Sequence, residues 1–215
     1  MCGGYYSYEN PYQPNFPGQQ NFSGPIIHPQ FWDEDLDYSN KTIAVIGSGA
    51  TAVTLVPALA KKAEHVYMLQ RSPTYIASSP SEDPWNQALK KIFSIKVTYF
   101  IIRWKNILWQ SFTFNLAKKY PETVKRRFLE QAQELLGPDF NIEKHFTPTY
   151  NPWDQRICLV PDGDLFESLK AGSSSVKTDL IDSFNENGIA LKSGEQMNVD
   201  MIVTATGIEL NALSN

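Results

Sequence analysis

Six consecutive residues, Gly47-Ser48-Gly49-Ala50-Thr51-Ala52, have the types and spacing to cradle a pyrophosphate. They fit G-x-G-x-x-G/A. Gly47 allows a sharp turn, Gly49 has no Cβ to keep a phosphate off the backbone, and Ala52 lets the next helix pack close to the strand. The helix that follows offers unpaired N–H groups and a positive dipole end to an anion. Further along, Leu69 is followed by Gln70-Arg71-Ser72. A site for NAD places Asp or Glu here to hold the ribose 2′-hydroxyl, and no carboxylate stands in this stretch. Arg71 can grip a 2′-phosphate through its planar fork, and Ser72 can add a hydroxyl donor, which favours NADP over NAD. Arg156, read alone, ties down its loop. The bland alternatives are a glycine turn in an unrelated α/β unit and a solvated surface arginine at 71.

The flanking elements suit this chemistry. Thr42–Ile46 is a short β-branched run, as expected of a strand buried on both faces. An apolar helix follows, with Val53, Leu55, Val56 and Leu59 largely on one side, and His65–Leu69 supplies a second strand. Near the far end, Val176–Phe184, Gly188–Lys192 and Met197–Val199 read as strands. Asp200–Val203 then runs into Ala205-Thr206-Gly207, a buried strand whose end can approach a cofactor.

Between these two halves, residues 73–145 read as mostly helical. Pro73 and Pro84 bracket a loop, Trp85–Lys118 is one long aromatic-rich stretch, and Glu122–Leu136 is an amphipathic helix ended by Gly137-Pro138. Phe93, Tyr99, Phe100, Trp104, Trp109, Phe112 and Phe114 are expected to pack as a helical core. A sharper reading makes them a substrate-lining or membrane-surface patch, with Lys90, Lys91, Lys96, Arg103 and Lys105 supplying positive charge.

Composition narrows the class. The 215 residues suit one large domain or one and a half, and the net charge of −4 argues against a nucleic-acid binder. Cys2 and Cys158 form no close pair and His28, His65 and His145 have no ligand spacing, so neither a metal nor a disulfide framework is expected. The reducing cytosol is the default compartment. The start lacks a charged segment before an apolar run, so no signal peptide is expected. Residues 1–30 are rich in proline, glycine and aromatics, a linker composition whose aromatics need a surface to pack on, expected to lie outside the chain.

Phe22, Gly24, His28 and Trp32, followed by Asp33, match F-x-G-x-x-x-H-x-x-x-W-D without a gap, immediately before the strand that leads into the glycine turn. This resembles the signature of type I Baeyer–Villiger and flavin-containing monooxygenases. The block Phe146–Arg156 and the D-x-x-x-x-A-T-G at Asp200–Gly207 are similar to the same family, nearest to its ethionamide-activating group. The resemblance implies that His28 organises the hinge between an FAD and an NADP domain. It implies that Arg156 holds negative charge on the oxygen-loaded flavin and contacts NADP. Many relatives carry Lys at the position of Gln155, which leaves more of the 2′-phosphate to Arg71.

The expected fold is therefore α/β: a Rossmann-like NADP-binding domain with a parallel sheet, a β-meander and an inserted helical subdomain. Residues 1–40 form an inter-domain linker, 41–80 and 146–207 the NADP-binding domain, 81–145 the helical insertion, and 208–215 the start of a return linker to a missing FAD domain. Cofactor contacts are expected from Gly47 to Ala52, Arg71, Ser72, Gln155 and Ala205-Thr206-Gly207, with no metal. By resemblance the complete enzyme uses FAD, NADPH and O2 to oxygenate a ketone, or a sulfide or thioamide-like centre. This chain, with one G-x-G-x-x-A where the family has two, is read as a truncated piece that binds NADP without turnover. It is placed in the cytoplasm or peripherally on a membrane. The rival readings are the NAD(P) domain of a disulfide reductase and a non-catalytic nucleotide-binding remnant. A short-chain dehydrogenase is disfavoured because no Tyr-x-x-x-Lys lies near a helix.

Overall fold

A computed structural model describes residues 6–210. Cys2, the opening Met1–Tyr5 and the last five residues of the return linker lie outside the described residues. In chain order the elements are β1 (Tyr6–Pro11), β2 (Ile26–Ile27), β3 (Thr42–Ile46), α1 (Ala50–Leu59), β4 (His65–Gln70), β5 (Tyr75–Ser79) and α2 (Pro84–Lys90). Then come α3 (Ile95–Lys119), α4 (Pro121–Leu136), α5 (Ile142–Phe146), β6 (Ile157–Pro161) and α6 (Asp164–Lys170). The chain closes with β7 (Ser174–Thr178), β8 (Ile181–Asn185), β9 (Gly188–Leu191), β10 (Gln196–Asn198), β11 (Met201–Thr204) and β12 (Ile208–Leu210). The molecule divides into two compact units, Met1–Pro73 with Leu165–Asn215, and Thr74–Asp164.

The first unit is built on a parallel sheet in the order β2-β11-β3-β4-β7. Side chains alternate along its strands, so each strand serves two layers. Ala44, Ile46, Leu69 and Ile202 pack against Phe184, Ile189, Leu191 and Met197 of the antiparallel meander β8-β9-β10. Ile43, Val45, Val66 and Met68 alternate with them on the other face and are buried, as are Val53, Val56 and Leu59 of α1, which packs on β3 and β4. Covering on both faces is what the unbroken apolar run of β3 requires.

The reading of Val176–Phe184 as one strand is corrected. The segment is two strands in two sheets, β7 beside β4 and β8 beside β9. Asp179 makes the break: its N–H donates to the Gln70 carbonyl at 3.0 Å and its carboxylate accepts the next N–H, from Leu180, at 2.7 Å. An Asp side chain that caps its own turn competes with the ladder.

The linker aromatics find partners inside the chain, contrary to expectation. Phe16 stacks on Phe184 at 5.2 Å, Phe22 is buried in the meander core, and Trp32 meets Tyr38 edge-on at 5.9 Å.

In the second unit, the supposed loop between Pro73 and Pro84 contains β5, which pairs in parallel with β6. The long aromatic stretch is broken into α2 and α3. Asp83 caps α2 by accepting the Trp85 N–H, and the helix stops at Lys91 before restarting after Ser94. The seven aromatics expected to form a helical core, from Phe93 to Phe114, are all exposed. Within α3 only Thr98 and Ala117 are buried.

Candidate functional site

The carboxyl ends of β11, β3 and β4 lie side by side and bring three of the sequence-predicted groups to one edge of the sheet. Gly47 leaves β3 with φ 138°, and its N–H donates to the Leu69 carbonyl at 2.8 Å. A Cβ at Gly47 would meet the Ala205 carbonyl oxygen at 2.4 Å, so no other residue fits the turn. Gly49 is the N-cap of α1 and has no side chain to satisfy the first-turn N–H groups. The first helical bond runs from Val53 N–H to the Gly49 carbonyl at 3.0 Å, which leaves the N–H groups of Ala50, Thr51 and Ala52 outside the helical ladder. Ala50 and Thr51 are exposed, Ser48 and Ala52 buried. An anion placed here meets open donors and the positive end of a ten-residue helix. Arg71 and Ser72 follow β4 directly and are exposed.

The Ala-Thr-Gly element closes the same edge, and all three residues are engaged. The Ala205 carbonyl faces Gly47, the Thr206 hydroxyl donates to the Tyr12 carbonyl at 2.8 Å, and Gly207, at φ 116°, offers its carbonyl to His28. His28 is buried. Its Nδ1 accepts the Gln30 N–H at 3.2 Å, so the ring proton sits on Nε2, which donates to the Gly207 carbonyl at 3.0 Å. The rest of the F-x-G-x-x-x-H-x-x-x-W segment serves the same seam. Gly24 passes so close to Asp200 that a Cβ would meet its carbonyl oxygen at 2.4 Å and the Phe22 ring at 2.8 Å. Ile26 and Ile27 pair with Ile202 and Val203, and the Thr204 hydroxyl donates to the Ile27 carbonyl. Strand β1 then pairs with β12. The segments before and after the sheet are thus tied to each other, residue by residue. Sequence reasoning placed both segments but missed their pairing, which no local pattern encodes.

Gln155 and Arg156 belong to the second unit and are exposed. Their loop is fixed by two tyrosines that sequence reasoning did not single out. Tyr75 on β5 is buried and donates to the Tyr150 carbonyl at 2.8 Å, with the two rings edge-to-face at 5.4 Å. Tyr150 in turn donates to the Arg156 carbonyl at 3.1 Å. Burial pushes the Tyr75 hydroxyl up to about 12, so it remains a donor well into the alkaline range. Cys158, two residues on, is buried and its thiol is pushed up by that burial, with the Arg156 charge opposing. It is inert rather than reactive. Among the described residues no His, Cys, Asp and Glu cluster could hold a metal.

A parallel α/β sheet with a glycine turn at its switch point, bordered by a histidine-latched linker, has the architecture of a Rossmann-like domain. The chain belongs to the flavin-binding monooxygenase-like family, which it matches over residues 1–212. It is 50% identical over 211 residues to the FAD-containing monooxygenase EthA of Mycolicibacterium smegmatis, covering 98% of this chain and 43% of that protein. It is 51% identical over 213 residues to the probable FAD-binding monooxygenase AlmA of an Acinetobacter species, covering 99% and 43%. The chain therefore spans less than half the length of these relatives. A solved structure of oxidized steroid monooxygenase bound to NADP aligns with a TM-score of 0.73 at 23% identity, covering 95% of this chain and 46% of that one. An epsilon-caprolactone-bound cyclohexanone monooxygenase aligns at 0.73 and 20% identity, covering 96% and 47%. At these identities the likeness is one of fold. Family membership sets aside the disulfide-reductase and short-chain-dehydrogenase readings.

Proposed function

We propose that this chain is the NADP(H)-binding portion of an FAD-dependent monooxygenase that uses NADPH and O2. The observation that carries the reading is the glycine turn wedged against Ala205, which leaves the first turn of α1 open to a pyrophosphate at the carboxyl edge of the sheet. NADP fits these residues. The N–H groups of Ala50, Thr51 and Ala52 receive the pyrophosphate, and Arg71, with Ser72 beside it, pairs with the 2′-phosphate.

FAD, when bound, supplies the oxygen-activating chemistry. Arg156 contributes a guanidinium charge, held on a loop pinned by Tyr75 and Tyr150. The His28–Gly207 hydrogen bond fixes the linker seam, and Ala205-Thr206-Gly207 border the cofactor from that side. The substrate is a small ketone, sulfide or thioamide-like molecule. The helical unit is the part that meets substrate or a membrane surface, since it carries most of the exposed apolar side chains among the described residues. With a single G-x-G-x-x-A in its 215 residues, the chain by itself binds NADP and does not turn over.

Calorimetric titration with NADP⁺ and NAD⁺, alongside an absorbance scan for flavin, tests the reading. NADP⁺ binding without a flavin band is the expected result. Stoichiometric FAD together with substrate-dependent NADPH consumption contradicts it.

A further inference from the structure

Helix α3 keeps its apolar side chains on the outside. Val97, Phe100, Trp104, Leu108 and Phe112 are all exposed, Leu108 by 64%. They follow one another at intervals of three or four residues and so form one stripe, roughly 22 Å long at the α-helical rise. An exposed apolar stripe of this extent marks a docking surface.

The charges select what docks. Every charged residue from 84 to 120 is a lysine or an arginine, in a chain whose net charge is −4. At 100° per residue, Lys96 and Arg103 fall along one flank of the stripe and Lys105 along the other. Lys105 is paired with Asp83 and Lys118 with Asp154. Lys96, Arg103 and Lys119 have no ion pair among the described residues. A second copy seated stripe on stripe would set cation against cation, since a two-fold contact apposes each patch to itself. No helix among the described residues is long and apolar enough to cross a membrane, and an apolar helix face flanked by cations has the pattern of one that lies along a bilayer surface.

We propose that this face of α3 docks on an anionic lipid surface. The stripe, with Trp104 and Phe100 at its middle, enters the boundary between headgroups and acyl chains, while Lys96, Arg103 and Lys119 meet the lipid phosphates. The inference rests on the surface reading of the helical unit and is independent of the nucleotide site.

Co-sedimentation of the full chain with vesicles tests it, using phosphatidylcholine alone and phosphatidylcholine mixed equally with phosphatidylglycerol. NADP⁺ titration of the same preparations runs in parallel. The expected result is sedimentation with the anionic vesicles only, lost in about 0.5 M salt. The triple variant Lys96→Glu, Arg103→Glu, Lys119→Glu lowers partitioning about a hundredfold. The pair Phe100→Ser, Leu108→Ser abolishes it with an unchanged thermal melt. Absence of binding to anionic vesicles overturns the proposal, as does binding that survives both variants, or a stable dimer that hides the stripe from lipid. NADP⁺ binding without vesicle binding refutes the lipid face and spares the nucleotide site; vesicle binding without NADP⁺ binding does the reverse.

Discussion

On β3, Ile43, Ala44 and Val45 are fully buried, whereas of the 25 residues of α3 only Thr98 and Ala117 are buried. The sheet of the first unit packs against the meander on one face, and α1 packs on its strands β3 and β4. Helix α3 leaves its aromatics in the open and carries only positive charge. The first pattern is that of a core, and the second is that of an exposed, positively charged surface. Aromatic density alone does not distinguish them, because both are rich in large apolar residues; the distribution of charge and the spacing of partners do.

Five substitutions would break or sharpen this contrast. Gly47→Ala has the largest expected effect. It forces a side chain into φ 138° and against the Ala205 carbonyl. A loss of about 3 kcal/mol or more in denaturant unfolding is expected, with NADP⁺ binding abolished. Phe184→Ala empties the centre of the meander core and should cost about 3 kcal/mol in the same assay.

In the second unit, Tyr150→Phe removes the hydrogen bond to the Arg156 carbonyl and should cost about 1 kcal/mol. The Tyr75 hydroxyl gives that unit a pH signature. Its pKa is raised from 10.0 to about 12 in the fold, so the unfolded chain loses this proton first as pH rises. The stability it confers is complete below pH 10.0 and declines as pH climbs through about 12. An alkaline melt series should show this decline in the wild type and lose it in Tyr75→Phe. Smallest of all, Leu108→Ser on α3 should change stability by no more than about 0.5 kcal/mol, because nothing in the described chain packs on that side chain enough to bury it. A loss of several kcal/mol there would turn α3 into core and erase the contrast.

The legibility of the fold in the sequence follows the same division. Strands β3 and β4, the glycine turn and α1 were readable because their signals are local: β-branched runs, a fixed glycine spacing and a one-sided apolar helix. The break between β7 and β8 was missed although Asp179 marks it, because a single capping side chain is a weak signal inside an apolar run. Strand β5 was overlooked between two prolines, though Tyr75-Ile76-Ala77 has the composition of a strand. The α2–α3 break turns on Asp83 and the segment Lys91–Ser94, which carries neither glycine nor proline. The linker seam could not be read at all. His28 and Gly207 stand 179 positions apart, and only the completed sheet brings them to 3.0 Å.

The central claim, a nucleotide site that selects NADP through Arg71, is tested most directly by titrating NADP⁺ and NAD⁺ into the wild type and into Arg71→Ala. The predicted result is NADP⁺ binding that weakens at least about tenfold in the variant, the worth of one charge-assisted phosphate contact, with any NAD⁺ affinity unchanged. NADP⁺ and NAD⁺ bound equally well by the wild type, with Arg71→Ala altering neither, would contradict it.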